Sequence, residues 1–278
     1  MDEGLFSKRG INISWQDYKG GTGDMIKALE SKQLNLAVLL TEGALKASLQ
    51  SKNFKIIQIY VNTPLVWGVY CGVASKFKAL SEVEKPDFCI SRPGSGSHLM
   101  AYLLSKKLQW NSEQLLFTEV GNFQGALEEF SKNPDKLFLW ERFMTKPFVT
   151  NNDLRKLSEI PTPWPSFCIV ANNDLVENNK SDLIEIMTII STYTYKFKQN
   201  TLESIDYISD YFNFSAHDMR DWIIDTDWNY FLDRPELKLD RVITFLKEMN
   251  LVDAQANVLD AVPDDTFWDG VELFPPVI

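Results

Sequence analysis

Histidine and cysteine are scarce in this chain, with two and three among 278 residues. Cys71, Cys89 and Cys168 sit inside apolar runs without CxxC spacing, which excludes a disulfide framework or a zinc site and reads as buried free thiols in a reducing compartment. The only histidines are His98 and His217, and no convincing nucleophile, base or metal set is found around them, so no catalytic residue, metal or cofactor is assigned. Basic residues are also short, 28 against 38 acidic ones, for a net charge of −10. That balance argues against a nucleic-acid partner, whose phosphates need clustered Lys and Arg. A single small anion is still compatible, because screening over about 8 Å at physiological salt lets a local helix end outweigh a distant acidic surface. No basic-then-apolar leader opens the chain and no run of eighteen apolar residues interrupts it. The expectation is a soluble, cytoplasmic protein without membrane insertion, in which Asn12-Ile13-Ser14 and Asn213-Phe214-Ser215 match the glycosylation pattern by chance.

What the chain has is a 45% hydrophobic composition and length enough for one large or two medium domains. Its most informative stretch is Ser91-Arg92-Pro93-Gly94-Ser95-Gly96-Ser97-His98. An apolar β-like run, Phe88 to Ile90, feeds it, and a helical pattern through Leu99, Met100, Tyr102 and Leu103 leaves it. Two glycines free the backbone, and the unpaired N–H groups of the first helical turn point into the loop. Such a turn can hold an anion, with Arg92 as a bidentate donor, or it can be a Gly/Ser connection that caps its own helix.

Along the chain, Asp2 to Phe6 with Ser7-Lys8-Arg9-Gly10 reads as a helix tail closed by glycine, and Ile11 to Tyr18 alternates as a strand. Gly20-Gly21-Thr22-Gly23 leads into a helix over Asp24–Ser31, followed by a strand over Leu34–Leu40. Thr41-Glu42-Gly43 opens another helix, and Lys55–Tyr60 is another strand. Strands alternating with helices imply a largely parallel sheet with ligand loops at the strand C-terminal ends. Val61 to Tyr70 and Thr162 to Ala171 are long extended runs interrupted by proline, suited to crossing between two domains. Leu116–Val120 and Lys136–Trp140 read as strands, and Phe123–Ser131 as a helix. Beyond the second crossing the chain is nearly all helical: Lys180–Gln199, Thr201–Phe212, Ala216–Asp225 and Pro235–Met249.

Taken together, Leu5-Phe6 with Gly10-Ile11, Gly20-Gly21-Thr22-Gly23, Thr41-Glu42-Gly43-Ala44 and Gly94-Ser95-Gly96-Ser97-His98 resemble the type II periplasmic-binding-protein family. The branch they resemble contains aliphatic sulfonate and thiamine-pyrimidine-precursor binders, together with fungal homologues without export signals. The resemblance implies a two-lobed α/β fold with two crossing strands and a helical C-terminal part. Residues 1–66 with 168–278 would form lobe one, and residues 67–167 lobe two. It implies non-enzymatic binding of a small anionic or heterocyclic metabolite in an interlobe cleft that closes by a hinge. Family members begin with a strand, a cleft loop and most of a helix ahead of the Gly-Leu-Phe segment, whereas Met1 stands immediately before it here. Loss of a central strand would leave two unpaired edges, so a shortened sequence is expected. The thiamine pyrimidine synthases of this fold use a cysteine-rich iron motif that this chain lacks.

Gly21 and Thr22 in lobe one, and Ser95, Gly96 and Ser97 in lobe two, open helices that could offer N–H donors to one ligand. Thr41 and Glu42 sit at another helix start, where Glu42 could accept from a ligand amino group or simply favour the helix dipole. Trp67, Trp140 and Trp164 offer faces to stack a heterocycle or to pack in the core, and Glu141 beside Trp140 offers an acceptor for an aminopyrimidine. His98 at a helix start suits a neutral hydrogen-bond partner better than a proton switch. The alternatives are an enzyme of pyrimidine or thiamine-precursor metabolism on the same scaffold, or an intracellular sensor that binds an unidentified protein partner.

Overall fold

The computed structural model describes residues 4–18 and 20–271. Two compact units emerge: one combines the chain up to Thr63 with the chain from Trp164 onward, and the other is Pro64–Pro163. The divisions fall at 63/64 and 163/164, so Trp164 belongs to the first unit.

The first unit opens with helix α1 (Leu5–Lys8), α2 (Thr22–Glu30), strand β1 (Leu36–Leu40), α3 (Thr41–Ser51) and β2 (Phe54–Val61). The second unit runs β3 (Val66–Gly72), β4 (Asp87–Ile90), α4 (Gly96–Lys107), β5 (Leu116–Glu119), α5 (Phe123–Lys132), β6 (Leu137–Glu141), α6 (Arg142–Thr150) and β7 (Leu154–Pro161). The chain then returns to the first unit as β8 (Phe167–Asn172), α7 (Asn173–Asn178), α8 (Lys180–Gln199), α9 (Thr201–Phe212), α10 (Ala216–Asp225) and α11 (Asp240–Glu248).

In the first unit β8 is the central strand of the order β1-β8-β2 and runs antiparallel to both neighbours, with Leu40 and Val61 opposite Phe167. Its Cys168-Ile169-Val170-Ala171 run is fully buried, as a strand covered on both faces requires. Ile57, Ile169 and Ala171 pack against Leu183 and Met187 of α8, which explains the helical spacing of apolar residues there. The α9–α10 pair closes a second cluster, Ile205, Ile208, Met219 and Ile223, over Val61 and Trp228. Gln58 ties the segment after α10 to β2 by donating from Nε2 to the carbonyls of Asn229 and Phe231 at 3.0 and 2.8 Å.

The second unit has the order β5-β4-β6-β3-β7, with β4 parallel to β5 and β6, and β3 antiparallel to β6 and β7. The expected largely parallel sheet is therefore corrected: β3 and β8 each enter their unit at the edge where helices begin, and must run against the strands that end there. Ile11–Tyr18 forms no ladder, because its alternation supplies a pleat but no described strand pairs with it. Of the helix tail read from Asp2, residues 2 and 3 lie outside the described residues, and the helix itself is Leu5–Lys8. The helix expected over Pro235–Met249 is a 3₁₀ turn, Pro235–Lys238, followed by α11. No helix among the described residues is long and apolar enough to cross a membrane.

Candidate functional site

In the second unit the C-terminal ends of β4, β5 and β6 lie at one edge of the sheet, where α4, α5 and α6 begin. Two of these helices are capped by their own side chains. Asn122 Oδ1 accepts from Gly125 N–H at 3.1 Å on α5, and Glu141 Oε2 accepts from Met144 N–H at 2.8 Å on α6. Helix α4 has no side-chain cap. Its Ser95 hydroxyl instead lies 3.1 Å from Ser97 Oγ and accepts from Arg92 N–H at 3.4 Å. Ser97 Oγ, buried, accepts from Ser91 N–H at 2.9 Å. Gly94, at φ +75°, makes the turn that only glycine adopts without strain, and its N–H donates to His98 Nδ1 at 2.8 Å. Accepting at Nδ1 is the role of a neutral ring, held here between Tyr102 at 4.8 Å and Phe117 at 4.6 Å. The serines and the histidine thus fix the loop's shape at the start of α4, which has no side-chain cap. No hydrogen bond or ion pair among the described residues occupies the half-buried Arg92 guanidinium.

Trp67 begins β3 at the same edge, opposite Glu141 and Ile160, and is 4% exposed with its indole N–H unpartnered. Trp140 stacks on Phe138 at 5.2 Å, touches Phe123 at 6.1 Å and meets Trp67 edge-on at 6.5 Å. Burial raises the Glu141 carboxyl above its ordinary range, opposed by the backbone N–H groups of Phe143 and Met144.

In the first unit the N-termini of α2 and α3 lie together at the end of β1. Leu40 N–H donates to Thr22 Oγ1 at 3.2 Å, and Thr41 N–H donates to Ser166 O at 3.0 Å. A Cβ on Gly43 would stand 2.8 Å from Thr22 Cγ2, so the two helix starts approach this closely only with glycine there. Neither helix has a side-chain cap, and Gly21 turns into α2 at φ +63°. Glu42 is 1% exposed, and its Oε2 accepts from the Trp164 indole N–H at 2.9 Å while Oε1 has no partner. Burial pushes this carboxyl up from 4.5 to about 7, against hydrogen bonds from its own backbone N–H and from Trp164. The Trp164 ring lies 5.1 Å from Phe245.

The CA3427 gene product of Candida albicans, which defines a family of proteins with the generic periplasmic binding protein fold, superposes with a TM-score of 0.81. It is 22% identical, over 94% of this chain and 90% of that one. The chain has the type II periplasmic-binding-protein fold. Residues 67–160 match the family described as Ca3427-like PBP. The same fold relates the chain to the aliphatic sulphonate binding protein SsuA of Escherichia coli, with a TM-score of 0.70 and 13% identity over 95% of this chain and 86% of that one. PhnD1 of Prochlorococcus marinus, in complex with methylphosphonate, has a TM-score of 0.59 and 10% identity over 90% of each chain. No curated protein matches the chain.

Within this binding-protein fold the residues singled out in the sequence gather into two groups. Trp67, Arg92, Ser95, Gly96, Ser97, His98, Trp140 and Glu141 share one sheet edge of the second unit. Gly21, Thr22, Thr41, Glu42 and Trp164 share one edge of the first. Sequence reasoning missed Ser166 and Phe245, which hold Thr41 and Trp164, since nothing local marks partners so distant in the chain.

Proposed function

We propose that this protein is a non-enzymatic binder of a small oxyanion of the sulfonate or phosphonate class, held on backbone amides at uncapped helix starts. The observation that carries the reading is the uncapped N-terminus of α4, beside two helices that start at the same edge and are capped. Arg92 adds a guanidinium that no hydrogen bond or ion pair among the described residues occupies, and fold relatives described as sulphonate- and methylphosphonate-binding support the ligand class. A thiamine-type aminopyrimidine is the second candidate, favoured by the half-buried face of Trp140 among Phe123 and Phe138.

Thermal shift and calorimetric titration against ethanesulfonate, methylphosphonate and a hydroxymethyl aminopyrimidine test both. A ligand at a hundredfold excess over its Kd adds about 2.7 kcal/mol. Arg92→Ala weakens an oxyanion but leaves an aminopyrimidine largely unaffected. Absence of stabilisation by all three overturns the proposal. The hinge closure implied by the resemblance belongs to the same proposal and is read as a ligand-dependent fall in radius of gyration.

A further inference from the structure

We propose that Glu42 is a proton site coupled to anion binding at the paired α2 and α3 helix starts: the neutral acid admits the anion, and the carboxylate excludes it. The inference rests on the oxyanion reading above and adds a regulation to it. Glu42 stands in the first turn of α3 at 1% exposure, where its charge and a bound anion compete for the same positive helix end. One oxygen accepts the Trp164 indole N–H at 2.9 Å. The other is buried without a donor, the position a proton fills in the neutral acid.

Among the described residues no cation's charge contributes to holding the carboxyl ionised. From β8 the titratable neighbour is the Cys168 thiol, itself pushed up by burial and by the Glu42 charge. On α2, Asp24 and Lys27 pair with each other at 3.8 Å, and on β2 Lys55 donates to the Asp260 carbonyl at 2.7 Å. Helix α11 turns Val242, Phe245 and Leu246 inward and carries Asp240, Arg241 and Glu248 at exposed positions. What opposes burial is two hydrogen bonds, from the residue's own N–H and from Trp164. With so little holding the ionised form, an anion nearby shifts the equilibrium further toward the acid, and by reciprocity the protonated protein binds that anion more tightly.

Ethanesulfonate is the probe, because a sulfonate keeps one charge throughout and any proton taken up belongs to the protein. Its Kd for the full chain is measured by calorimetry from pH 5.5 to 8.5, in two sulfonate-free buffers of different ionisation enthalpy. The expected result is binding on the order of tenfold weaker at pH 8.5 than at pH 5.5, with buffer-dependent heats that report proton uptake near neutrality. Glu42→Gln, a fixed neutral isostere, should bind across the range with the affinity the wild type shows on its acid side. A wild-type Kd independent of pH overturns the coupling, as does a pH dependence that survives in E42Q. Should E42Q not fold, Trp164→Phe, which removes the hydrogen bond that favours the ionised form, should move the pH midpoint of binding upward, and an unmoved midpoint overturns the coupling. Absence of binding at every pH overturns the oxyanion reading and the coupling together, and is distinct from binding without proton uptake.

Discussion

Replacing Glu42 with glutamine should flatten the dependence of stability on pH, and the size of the effect follows from the burial of this one carboxyl. Its folded value is raised from 4.5 to about 7, chiefly by desolvation. A group that holds its proton more tightly when folded contributes a stabilisation that is complete below the unfolded value. That contribution is lost as the pH rises through the folded value, here between about pH 4.5 and 7. The shift corresponds to about 3 kcal/mol, a large share of the roughly 5–15 kcal/mol that holds an ordinary domain together. Glutamine keeps the acceptor for the Trp164 indole and never ionises. It also adds a buried amide N–H₂, at a cost of about 1–3 kcal/mol if unsatisfied, but that cost is the same at every pH. The diagnostic is therefore the change in the mutant-minus-wild-type difference between pH 5 and pH 8.5, in which the constant cancels. Urea unfolding followed by tryptophan fluorescence and circular dichroism measures it. Parallel wild-type and E42Q profiles across that range would refute the argument.

Other perturbations probe the packing that shapes the two sheet edges. Gly68→Ala should destabilise the second unit by about 1–3 kcal/mol or more, because an added Cβ would lie 1.9 Å from Tyr70 Oη, whose ring is buried and whose hydroxyl bonds Thr145; an unchanged melting temperature contradicts this. Ser97→Ala removes the acceptor of the Ser91 N–H and should cost about 1–3 kcal/mol, and anion affinity should fall with it as the turn into α4 loosens. Arg155→Met frees the carbonyls of Val73, Ser75 and Phe77, which the guanidinium binds at 2.6, 2.7 and 2.9 Å. Faster amide exchange over residues 73–77 is expected, and protection equal to wild type would count against the clamp.

The strand-loop-helix units were legible because their signals are local. Glycines ahead of an amphipathic run marked the starts of α2 and α4, and an unbroken apolar run marked β8. What escaped depends on distance along the chain or on conflicting local signals. Pro147 lies inside α6, where its ring argues against a helix that surrounding packing nonetheless forms. Strand β7 buries only Leu154 and Ile160 of its eight residues, too sparse an alternation to stand out. Strand direction was misjudged because it follows from the edge at which the chain enters each unit, and no short window contains that information. The Glu42–Trp164 hydrogen bond spans 122 residues, so each partner was visible as a candidate while their pairing was not.

That pairing separates two tryptophans that the sequence presents as equivalents, one beside each crossing. Both are nearly fully buried, at 2% and 4% exposure for Trp164 and Trp67. The Trp164 indole N–H has a carboxyl acceptor, while that of Trp67 has no partner among the described residues. An unpaired buried N–H costs about 1–3 kcal/mol, so a position where it persists is one that the surrounding packing must outweigh. At Trp164 the arrangement is reversed: the hydrogen bond is made, and the cost appears on the acceptor side as a carboxyl that resists ionisation. The same edge therefore stores its electrostatic strain in a group that can release it by taking up a proton, whereas an indole N–H has no such recourse. The first unit's edge should therefore respond to pH through Glu42, as the second unit's should through Glu141, whose carboxyl burial also raises.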